Sequence, residues 1–333
     1  MKLLIIGDPH AKKGDLEDCG ELAGLVRRTA KATKPDWIVW LGDQHHHHSI
    51  IHVEVMQFWL EFLGCLKGDG FKQIMVVGNH DLADNGDSFA HALIPYKNLV
   101  EVVEVSRVID GVMYMPYFAN PQAFVDMANG GDIWDPELPK SNVLICHQLF
   151  DGSKYDNGFY AKDGIDANLI PQGQVVSGHV HAPQMCGKVW YPGSPRWQTL
   201  SDANVDRAIW LVEIENGKIV NKTPYSTNGV CRQIRHLVET PGSPVDEKLF
   251  QNAKVHLDLQ GPSDWIVQRK KELSGKGLQI RTFPTDQKMV RVKESDGIGK
   301  AFAKYVDAYQ PKFGTSKVTL REMLKDRLDA VPA

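Results

Sequence analysis

Short apolar segments that end in glycine followed by a polar residue recur along the first quarter of this 333-residue chain. Residues 3–7, 37–41 and 73–77 each read as a buried strand, because a brief apolar run bounded by glycine is typical of one. Between them, apolar residues recur at helical spacing over 19–31 and 56–63. The order β-α-β-α-β predicts an α/β sandwich that starts with a largely parallel sheet.

Beyond residue 100 the predicted strands no longer alternate with long helices. Further strands are predicted, without long helices between them, at 100–105, 112–117, 143–147, 174–177 and 208–215. After residue 225 a small α/β pattern follows, with a strand at 254–259, a helix at 264–273 and a strand at 278–283. Two more helices are predicted near 299–309 and 318–328.

Charge also changes near residue 225. Residues 226–333 hold 19 Lys and Arg against 13 Asp and Glu, a net of +6, whereas residues 1–225 hold 19 against 28, a net of −9. Such asymmetry suggests different partners for the two parts of the chain. The formal net charge of the whole chain is −3, whereas a protein that binds DNA mainly through its overall charge is strongly basic.

Composition excludes several classes of protein. A hydrophobic fraction of 42% is too high for intrinsic disorder, and no apolar run approaches the roughly 20 residues of a membrane span. The apolar run at 3–6 is too short for a signal peptide. Five scattered Cys without C-x-x-C spacing predict free thiols in a reducing compartment, so we expect a cytoplasmic protein without a membrane partner.

Candidate ligands for metal ions follow five of the predicted strands. The segments are Gly7-Asp8-Pro9-His10, Gly42-Asp43-Gln44-His45-His46, Gly78-Asn79-His80-Asp81, Cys146-His147 and Gly178-His179-Val180-His181. In open α/β sheets, ligands bind beyond the carboxyl ends of the strands. The five segments are therefore expected to meet at one edge.

Two neighbouring divalent ions would need this kind of donor set. A carboxylate must bridge them, and imidazole or oxygen ligands must complete each shell. Asp8 and His10 can chelate one ion, Asp43 can bridge and Asn79 can offer an amide oxygen, while the remaining imidazoles are those of His147, His179 and His181. Mixed nitrogen and oxygen donors suit Mn, Fe, Co or Zn and do not suit Ca.

In order and content these segments resemble the calcineurin-like metallophosphoesterase pattern D-x-H, G-D-x-x-H, G-N-H-D, H, G-H-x-H over roughly residues 1–225. The resemblance implies that one ion is held by Asp8, His10, Asp43 and His181, and the other by Asp43, Asn79, His147 and His179. It also implies that His80 is the catalytic histidine at the leaving oxygen. Asp81, the next residue, is expected to orient His80 rather than to bind metal.

Other features resemble the SbcD-type recombination nucleases of that family. His46 lies where they carry a second histidine that orients the phosphate, and residues 191–195 are similar to their Y-P-G-S/T-P segment. The implied fold is a two-sheet α/β sandwich with a small C-terminal α/β capping domain and terminal helices. The implied domains are a dinuclear-metal phosphoesterase domain at 1–225, a β-α-β capping domain at 226–295 and a helical partner-binding segment at 296–333. The length is more like the phage-encoded versions.

The function implied is a Mn-dependent DNA exonuclease and endonuclease in DNA end processing, recombination or repair. The resemblance further implies an SbcC-type ATPase partner and a homodimer. The helix-rich residues 50–66 could serve as the contact surface of that dimer. The chain has no G-x-x-x-x-G-K-[ST] segment, so it would not hydrolyse ATP itself.

Two other functions stay open. A phosphomonoesterase or small-molecule phosphodiesterase could use the same site, and a DNA-end scaffold subunit could retain it without catalysis. For DNA contacts, Arg196 is a candidate for a backbone phosphate and Trp197 for base stacking. His45, His47 and His48 are expected to form a solvated loop.

Overall fold

The computed structural model describes residues 1–84, 90–131, 141–155 and 158–286, and all structural statements concern these residues. The chain divides into two compact units. The first comprises Met1–Leu237, Asp246–His256 and Gly277–Gln279. The second comprises Val238–Val245 and Leu257–Lys276, and continues from Ile280.

The first sheet has six strands and is largely parallel. Its strands and the helices between them are β1 (Lys2–Ile6), α1 (Leu16–Thr33), β2 (Trp37–Trp40), α2 (Val53–Gly68), β3 (Gln73–Val76), β4 (Glu101–Val103), β11 (Ala208–Glu215) and β12 (Lys218–Ser226). Their spatial order is β12-β11-β1-β2-β3-β4. From β1 to β4 neighbouring strands are parallel, whereas β11 is antiparallel to β1.

The second sheet also has six strands. Its elements are β5 (Arg107–Ile109), β6 (Val112–Met115), α3 (Pro121–Ala128), β7 (Val143–His147), β8 (Gln174–Gly178), β9 (Gln184–Cys186) and β10 (Val189–Tyr191). The spatial order is β5-β6-β7-β8-β10-β9, with β6, β7, β8 and β10 parallel. A third sheet, β13-β14-β15, consists of Gln233–Glu239, Ala253–Gly261 and Gln279–Pro284, and α4 spans Ser263–Glu272.

Alternate residues of the central strands face different cores. On β1, Leu3 and Ile5 join a buried cluster that also contains Ile145 and Val176 of the second sheet. Leu4 and Ile6 face the helices, where they join the cluster that includes residues of α1 and α2. Because both faces of these strands are covered, they read as continuous apolar runs in the sequence.

The predicted two-sheet α/β sandwich is confirmed. The strand predicted at 100–105 is only partly formed, because the chain leaves β4 after Val103 and enters the second sheet at Arg107. The short strands β5, β9 and β10, the long strand β12 and the strand β13 were not predicted, nor was α3. The helices predicted near 299–309 and 318–328 lie outside the described residues, and the proposed domain boundaries stay a prediction.

All five Cys are free thiols, as predicted. Within the described part of the chain, no helix combines the length and the apolar character needed to cross a membrane.

Candidate metal centre

The side chains of the five motifs lie at the carboxyl ends of parallel strands from both sheets. Asp8 and His10 follow β1, Asp43 follows β2, Asn79 and His80 follow β3, His147 ends β7, and His179 and His181 follow β8. Hydrogen bonds and short ring contacts connect them into one polar cluster. The predicted convergence at one sheet edge is therefore present in the structure.

One side of the cluster centres on His147. Its Nδ1 donates to the Leu41 carbonyl oxygen at 2.8 Å, which leaves the lone pair on Nε2. That Nε2 lies 3.4 Å from Asp43 Oδ2 and 3.0 Å from Asn79 Oδ1. The same amide oxygen lies 2.9 Å from His179 Nδ1. The titratable side chains that could together hold an ion here are Asp8, Asp43 and His147.

The other side centres on His10. Its Nε2 lies 2.9 Å from His181 Nε2 and 3.4 Å from Asp43 Oδ2. His80 approaches through its backbone N–H, which donates to Asp43 Oδ1 at 2.8 Å. The His80 ring is held by His46, whose carbonyl oxygen accepts from Nδ1 at 2.7 Å. The side chains that could hold an ion here are His10, Asp43 and His80.

Asp43 is shared by both sides and is buried. Its Oδ2 lies 3.4 Å from an imidazole nitrogen on each side, the position that a bridging carboxylate requires. Asp8 Oδ2 is also buried, and it has no hydrogen-bond partner among the described residues. Buried carboxylate and imidazole lone pairs gathered in this way fit divalent cations.

The structure places Asp8 nearer to the His147 side than the predicted ligand sets imply. Asp8 Oδ1 lies 3.3 Å from His147 Nδ1 and accepts the His179 backbone N–H at 3.0 Å. His80, predicted as an acid rather than a ligand, lies in the group around His10. Which residue holds which ion stays a prediction.

Burial sets the charges of this cluster. It raises the pKa of Asp8, lowers that of His10 well below its usual range and lowers that of His179 to about 3. Burial alone would lower the pKa of His147, but Asp43 and Asp8 outweigh it and raise that pKa to about 9. Without a cation, a proton on His147 thus compensates the carboxylates, and a bound cation would take its place.

Three of the candidate ligands have left-handed backbone conformations. The φ angles are 46° at His10, 54° at Asp43 and 83° at His179. Each such residue costs about 1–2 kcal/mol relative to an ordinary conformation. Strain of this kind clusters at functional sites, where the surrounding structure imposes the geometry.

Glycine next to the ligands permits this close approach. A Cβ on Gly178 would lie 2.7 Å from both Asp8 Oδ1 and His147 Nδ1. Gly42 has a φ of 108°, a conformation that residues other than glycine rarely adopt. Both observations indicate that glycine permits the tight backbone turns at these ligands.

Asp81 does not orient the His80 ring, contrary to the prediction. Its buried carboxylate accepts the backbone N–H groups of Gly78, Asp43 and Gln44 at 2.8–3.0 Å, and a fourth from His45 at 3.3 Å. Burial, with the neighbouring Asp43 charge, raises its pKa to about 7. Asp81 therefore joins the loops after β2 and β3, and the His46 carbonyl oxygen fixes the His80 ring.

The histidine-rich loop is only partly solvated. His45 is buried, and its Nε2 lies 3.0 Å from the Tyr96 hydroxyl. The His48 ring lies 4.1 Å from the His80 ring, centroid to centroid. His47 is exposed as predicted and His48 is half-buried, so the expectation of a solvated loop was wrong for His45.

Arg196 and Trp197 are also buried, at 1% and 6% exposure. Arg196 Nη1 lies 3.2 Å from Asp15 Oδ2 and 3.0 Å from Asp18 Oδ2, so its charge is paired inside the protein. Trp197 Nε1 donates to the Val205 carbonyl oxygen at 3.0 Å. These placements do not support the predicted DNA contacts, because neither side chain is presented to solvent.

Tyr117 was missed by the sequence analysis. Its ring lies parallel to that of His179, 6.1 Å between centroids, and edge-on to His147 at 6.3 Å. The available signal was its place just beyond β6, a strand end like those of the motifs. Tyrosine is not a usual ligand for these ions, so ligand chemistry alone does not single out Tyr117.

One family model and two viral proteins are similar to this chain. The family model described as Calcineurin-like phosphoesterase matches residues 1–183. Putative phosphoesterase 244L of Invertebrate iridescent virus 6 is 26% identical over 219 residues, 58% of this chain and 69% of that protein. Exonuclease subunit 1 of Enterobacteria phage T4 is 25% identical over 276 residues, 77% of this chain and 76% of that protein.

Solved structures give a weaker likeness. TT1561 of Thermus thermophilus is 17% identical with a TM-score of 0.35, and Yfce, a phosphoesterase from E. coli, is 13% identical with a TM-score of 0.31. Both matches cover 67% of this chain and 98% of the solved one. The two-sheet α/β sandwich is shown instead by the family match and by the order of strands in the sheets.

Proposed function

Because this chain belongs to the calcineurin-like phosphoesterase family, we propose that it is a metal-dependent nuclease that hydrolyses phosphodiester bonds in DNA. The observation that carries the proposal is the position of Asp43, shared by two groups of potential metal ligands. A site for two adjacent ions is suited to in-line displacement at phosphorus.

Two divalent ions are proposed as cofactors, most simply Mn²⁺, with Fe, Co or Zn as alternatives for this donor set. The side chains proposed to hold them are Asp8, His10, Asp43, Asn79, His147, His179 and His181. When bound, the ions would supply Lewis acidity toward the phosphate and activate the attacking water.

His80 is proposed as the general acid. Its Nδ1 donates to the His46 carbonyl oxygen, so the ring is fixed and Nε2 is left for the reaction. In its protonated form, His80 would give the Nε2 proton to the departing sugar oxygen. General acid catalysis by a positioned side chain typically contributes about 10²–10⁴-fold.

His46 is proposed to position the phosphate. Its ring lies 5.6 Å from that of His10 and 6.1 Å from that of His80, so it borders the cluster. A hydrogen bond from this imidazole to a phosphate oxygen would fix the substrate before His80 acts. Asp81 supports both residues indirectly, since it joins the loops that carry them.

DNA is proposed as the substrate on two grounds. One relative, which aligns over 77% of this chain, is named as an exonuclease subunit. The basic excess of residues 226–333 also suits contact with a polyanion. We further propose a role in end processing, recombination or repair, with an SbcC-type ATPase partner and a homodimer. The proposed domains at 1–225, 226–295 and 296–333 would supply catalysis, DNA presentation and partner binding.

The test is degradation of end-labelled single- and double-stranded DNA in Mn²⁺, Mg²⁺ or EDTA. Native protein is compared with His80→Ala and with His236→Ala, a control that removes an imidazole from β13. Mn²⁺-dependent cleavage that only His80→Ala loses would support the nuclease. Hydrolysis of bis(p-nitrophenyl) phosphate or p-nitrophenyl phosphate without DNA cleavage, even with an SbcC-type ATPase added, would show a small-substrate phosphoesterase instead.

A further inference from the structure

A hollow on the surface of the first compact unit adjoins the loop after β1. Three of the cationic side chains that line it are solvent-accessible, those of Lys12, Arg232 and Lys254, and we call this surface the basic hollow. Arg196 lies buried at its base, where Nη2 donates to the carbonyl oxygens of Pro9 at 2.7 Å and His10 at 3.2 Å. The basic hollow therefore lies against the loop that carries the first candidate ligands.

The basic hollow joins two parts of the chain that differ in charge. Lys12 belongs to residues 1–225, with a net charge of −9, whereas Arg232 and Lys254 belong to residues 226–333, with a net charge of +6. Arg232 precedes β13 and Lys254 lies on β14, and both belong to segments of the first compact unit. Part of the basic excess seen in the sequence is thus placed beside the loop after β1.

The buried acidic groups of the hollow already have a partner. Arg196 Nη1 pairs with Asp18 Oδ2 at 3.0 Å and with Asp15 Oδ2 at 3.2 Å. The charged groups that line the hollow are four cations and three carboxylates, a net of +1. The balance at this surface is therefore positive, although residues 1–225 are acidic as a whole.

The accessible cations of the hollow are weakly engaged. Among the described residues, Lys12 and Lys254 have no ion pair, and Arg232 Nη2 lies 3.8 Å from Glu17 Oε2. Both side chains of that pair are well exposed, and pairs of this kind contribute little to stability. A phosphate group could replace Glu17 there at little cost.

Lys12 connects the basic hollow with the proposed catalytic residues. The preceding residue, Ala11, donates its N–H to the Gln44 carbonyl oxygen at 2.9 Å and accepts the His46 N–H at 3.2 Å. After burial, the charge of Lys12 is the next cause that lowers the pKa of His46, to about 4. With one phosphate at His46, the continuing backbone of the same strand would pass Lys12.

We propose that the basic hollow binds the backbone of the DNA strand next to the phosphate that is cleaved, through one phosphate contact each from Lys12, Arg232 and Lys254. The choice of DNA as the polyanion rests on the proposed nuclease function. Phosphate contacts carry no sequence information but fix the register of the protein on the nucleic acid. The hollow would therefore position a strand of any sequence at the metal centre.

The test is binding of end-labelled double-stranded DNA, measured by fluorescence anisotropy in EDTA over a series of NaCl concentrations. The variant is Lys12→Gln/Arg232→Gln/Lys254→Gln. The matched control is Lys2→Gln/Lys72→Gln/Lys218→Gln. It removes the same charge, because Lys2 and Lys218 begin strands and Lys72 precedes one, all at the end of the first sheet opposite to the ligands.

We expect native protein and control to bind DNA alike. For the variant, Kd should rise about tenfold or more at roughly 0.1 M salt, and the slope of log K against log salt should fall by about 3, one for each phosphate contact. Equal binding by variant and control would overturn the proposal, as would native protein that binds no DNA. Because no cleavage is needed, DNA that is bound through the hollow but never cut would refute only the proposed nuclease.

Two further measurements show whether the variant acts through the hollow alone. All three proteins should have the same thermal unfolding midpoint and, in Mn²⁺, the same rate on bis(p-nitrophenyl) phosphate, which has a single phosphate. Loss of this ester hydrolysis in the variant alone would assign the three residues to the metal centre and overturn the proposal. Should the midpoint of the variant fall, Lys12→Gln takes its place, with an expected fall in slope of about 1.

Discussion

Two sets of buried and half-buried polar residues meet at the strand ends, and their polar atoms have different kinds of partner. The ligand layer comprises Asp8, His10, Asp43, Asn79, His147, His179 and His181, whose carboxylate, amide and imidazole groups contact one another. The support layer comprises Asp81, Arg196, Asp202 and Arg207. Asp81, Arg196 and Arg207 hydrogen-bond the backbone that carries those ligands, and Asp202 pairs with Arg207.

The support layer shows how a strained site is held. Asp81 accepts four backbone N–H groups, and Arg196 donates to the carbonyl oxygens of Pro9 and His10. Arg207 donates to the carbonyl oxygen of His181 and pairs with Asp202 at 2.7 Å. The comparison shows two kinds of polar residue near this site: candidate ligands for the metal ions, and residues that hold the backbone of those ligands in position. Substitution should therefore separate activity from stability.

The largest expected effect on activity is in the ligand layer, at Asp8. Asp8→Asn keeps an oxygen for the His179 N–H but removes a buried charge whose pKa is raised by burial. We expect DNA hydrolysis to fall on the order of 10³-fold, the upper range for one electrostatic group. In EDTA the free energy of unfolding should not fall. A clear loss of stability in urea denaturation would place Asp8 in the support layer instead.

The largest expected effect on stability is in the support layer, at Arg207. Arg207→Met leaves Asp202 without its partner in a fully buried position, which costs about 3–5 kcal/mol. Chemical denaturation measures the loss. In the double variant Arg207→Met/Asp202→Asn, the loss should be smaller than the sum of the two single losses. Strict additivity would contradict the coupling inferred from this ion pair.

An intermediate effect on both properties is expected at Asp81. Asp81→Asn turns one acceptor oxygen into a donor facing backbone N–H groups, and charge-assisted hydrogen bonds are worth about 1.5–3 kcal/mol each. We expect the free energy of unfolding to fall by about 1.5–3 kcal/mol, the value of one such hydrogen bond. We also expect the affinity for Mn²⁺ to fall about 10–100-fold. Unchanged Mn²⁺ affinity in a titration of activity would mean that the loops after β2 and β3 keep their positions without this carboxylate.

A smaller effect is expected at Tyr117, which covers the His179 ring. Aromatic pairs of this kind contribute about 0.5–1.5 kcal/mol. Tyr117→Ala should weaken metal retention during dialysis severalfold, whereas Tyr117→Phe should retain native behaviour because the ring remains. If the Phe variant lost activity as fully as the Ala variant, the hydroxyl rather than the ring would matter.

The smallest effect on stability is expected at Asp69, which pairs with the exposed side chains of Arg27 and Lys31. This surface group contrasts with the fully buried pair of Arg207 and Asp202. Arg27 and Lys31 hold the pKa of Asp69 at about 2, below the usual 3.8. A depressed carboxyl pKa stabilises the folded state above pH 3.8, and that stabilisation disappears as pH falls through about 2. Asp69→Asn should therefore lower the unfolding midpoint slightly at about pH 7, and the two midpoints should converge toward about pH 2. A gap that widens on acidification would reverse this sign.

Much of the site could be predicted because ligand chemistry and strand ends are both visible in the sequence. Asp8, Asp43 and His147 each stand where an apolar run stops, and the strand-end rule brings such positions to one edge. The edge strands could not be predicted in the same way. β9 and β10 have three residues each, too few for a periodic pattern to stand out.

The partners of the polar side chains could not be predicted either. Arg196 looked like a residue available to DNA because the sequence shows its charge and not its burial. Asp81 follows His80 directly, yet its carboxylate faces the backbone of the loop after β2. Those outcomes depend on how the loops fold against each other.

The sequence by itself determined the residue types, their order and the strands that they follow, because local patterns of apolar and polar residues encode these properties. Only the tertiary structure decided that Asp43 lies between two ligand groups and that Asp81 and Arg196 hold backbone. It also decided that Lys12 and Lys254 line one hollow. The physical reason is that such contacts join segments from different strands and loops, whose relative positions are fixed by packing of the two sheets.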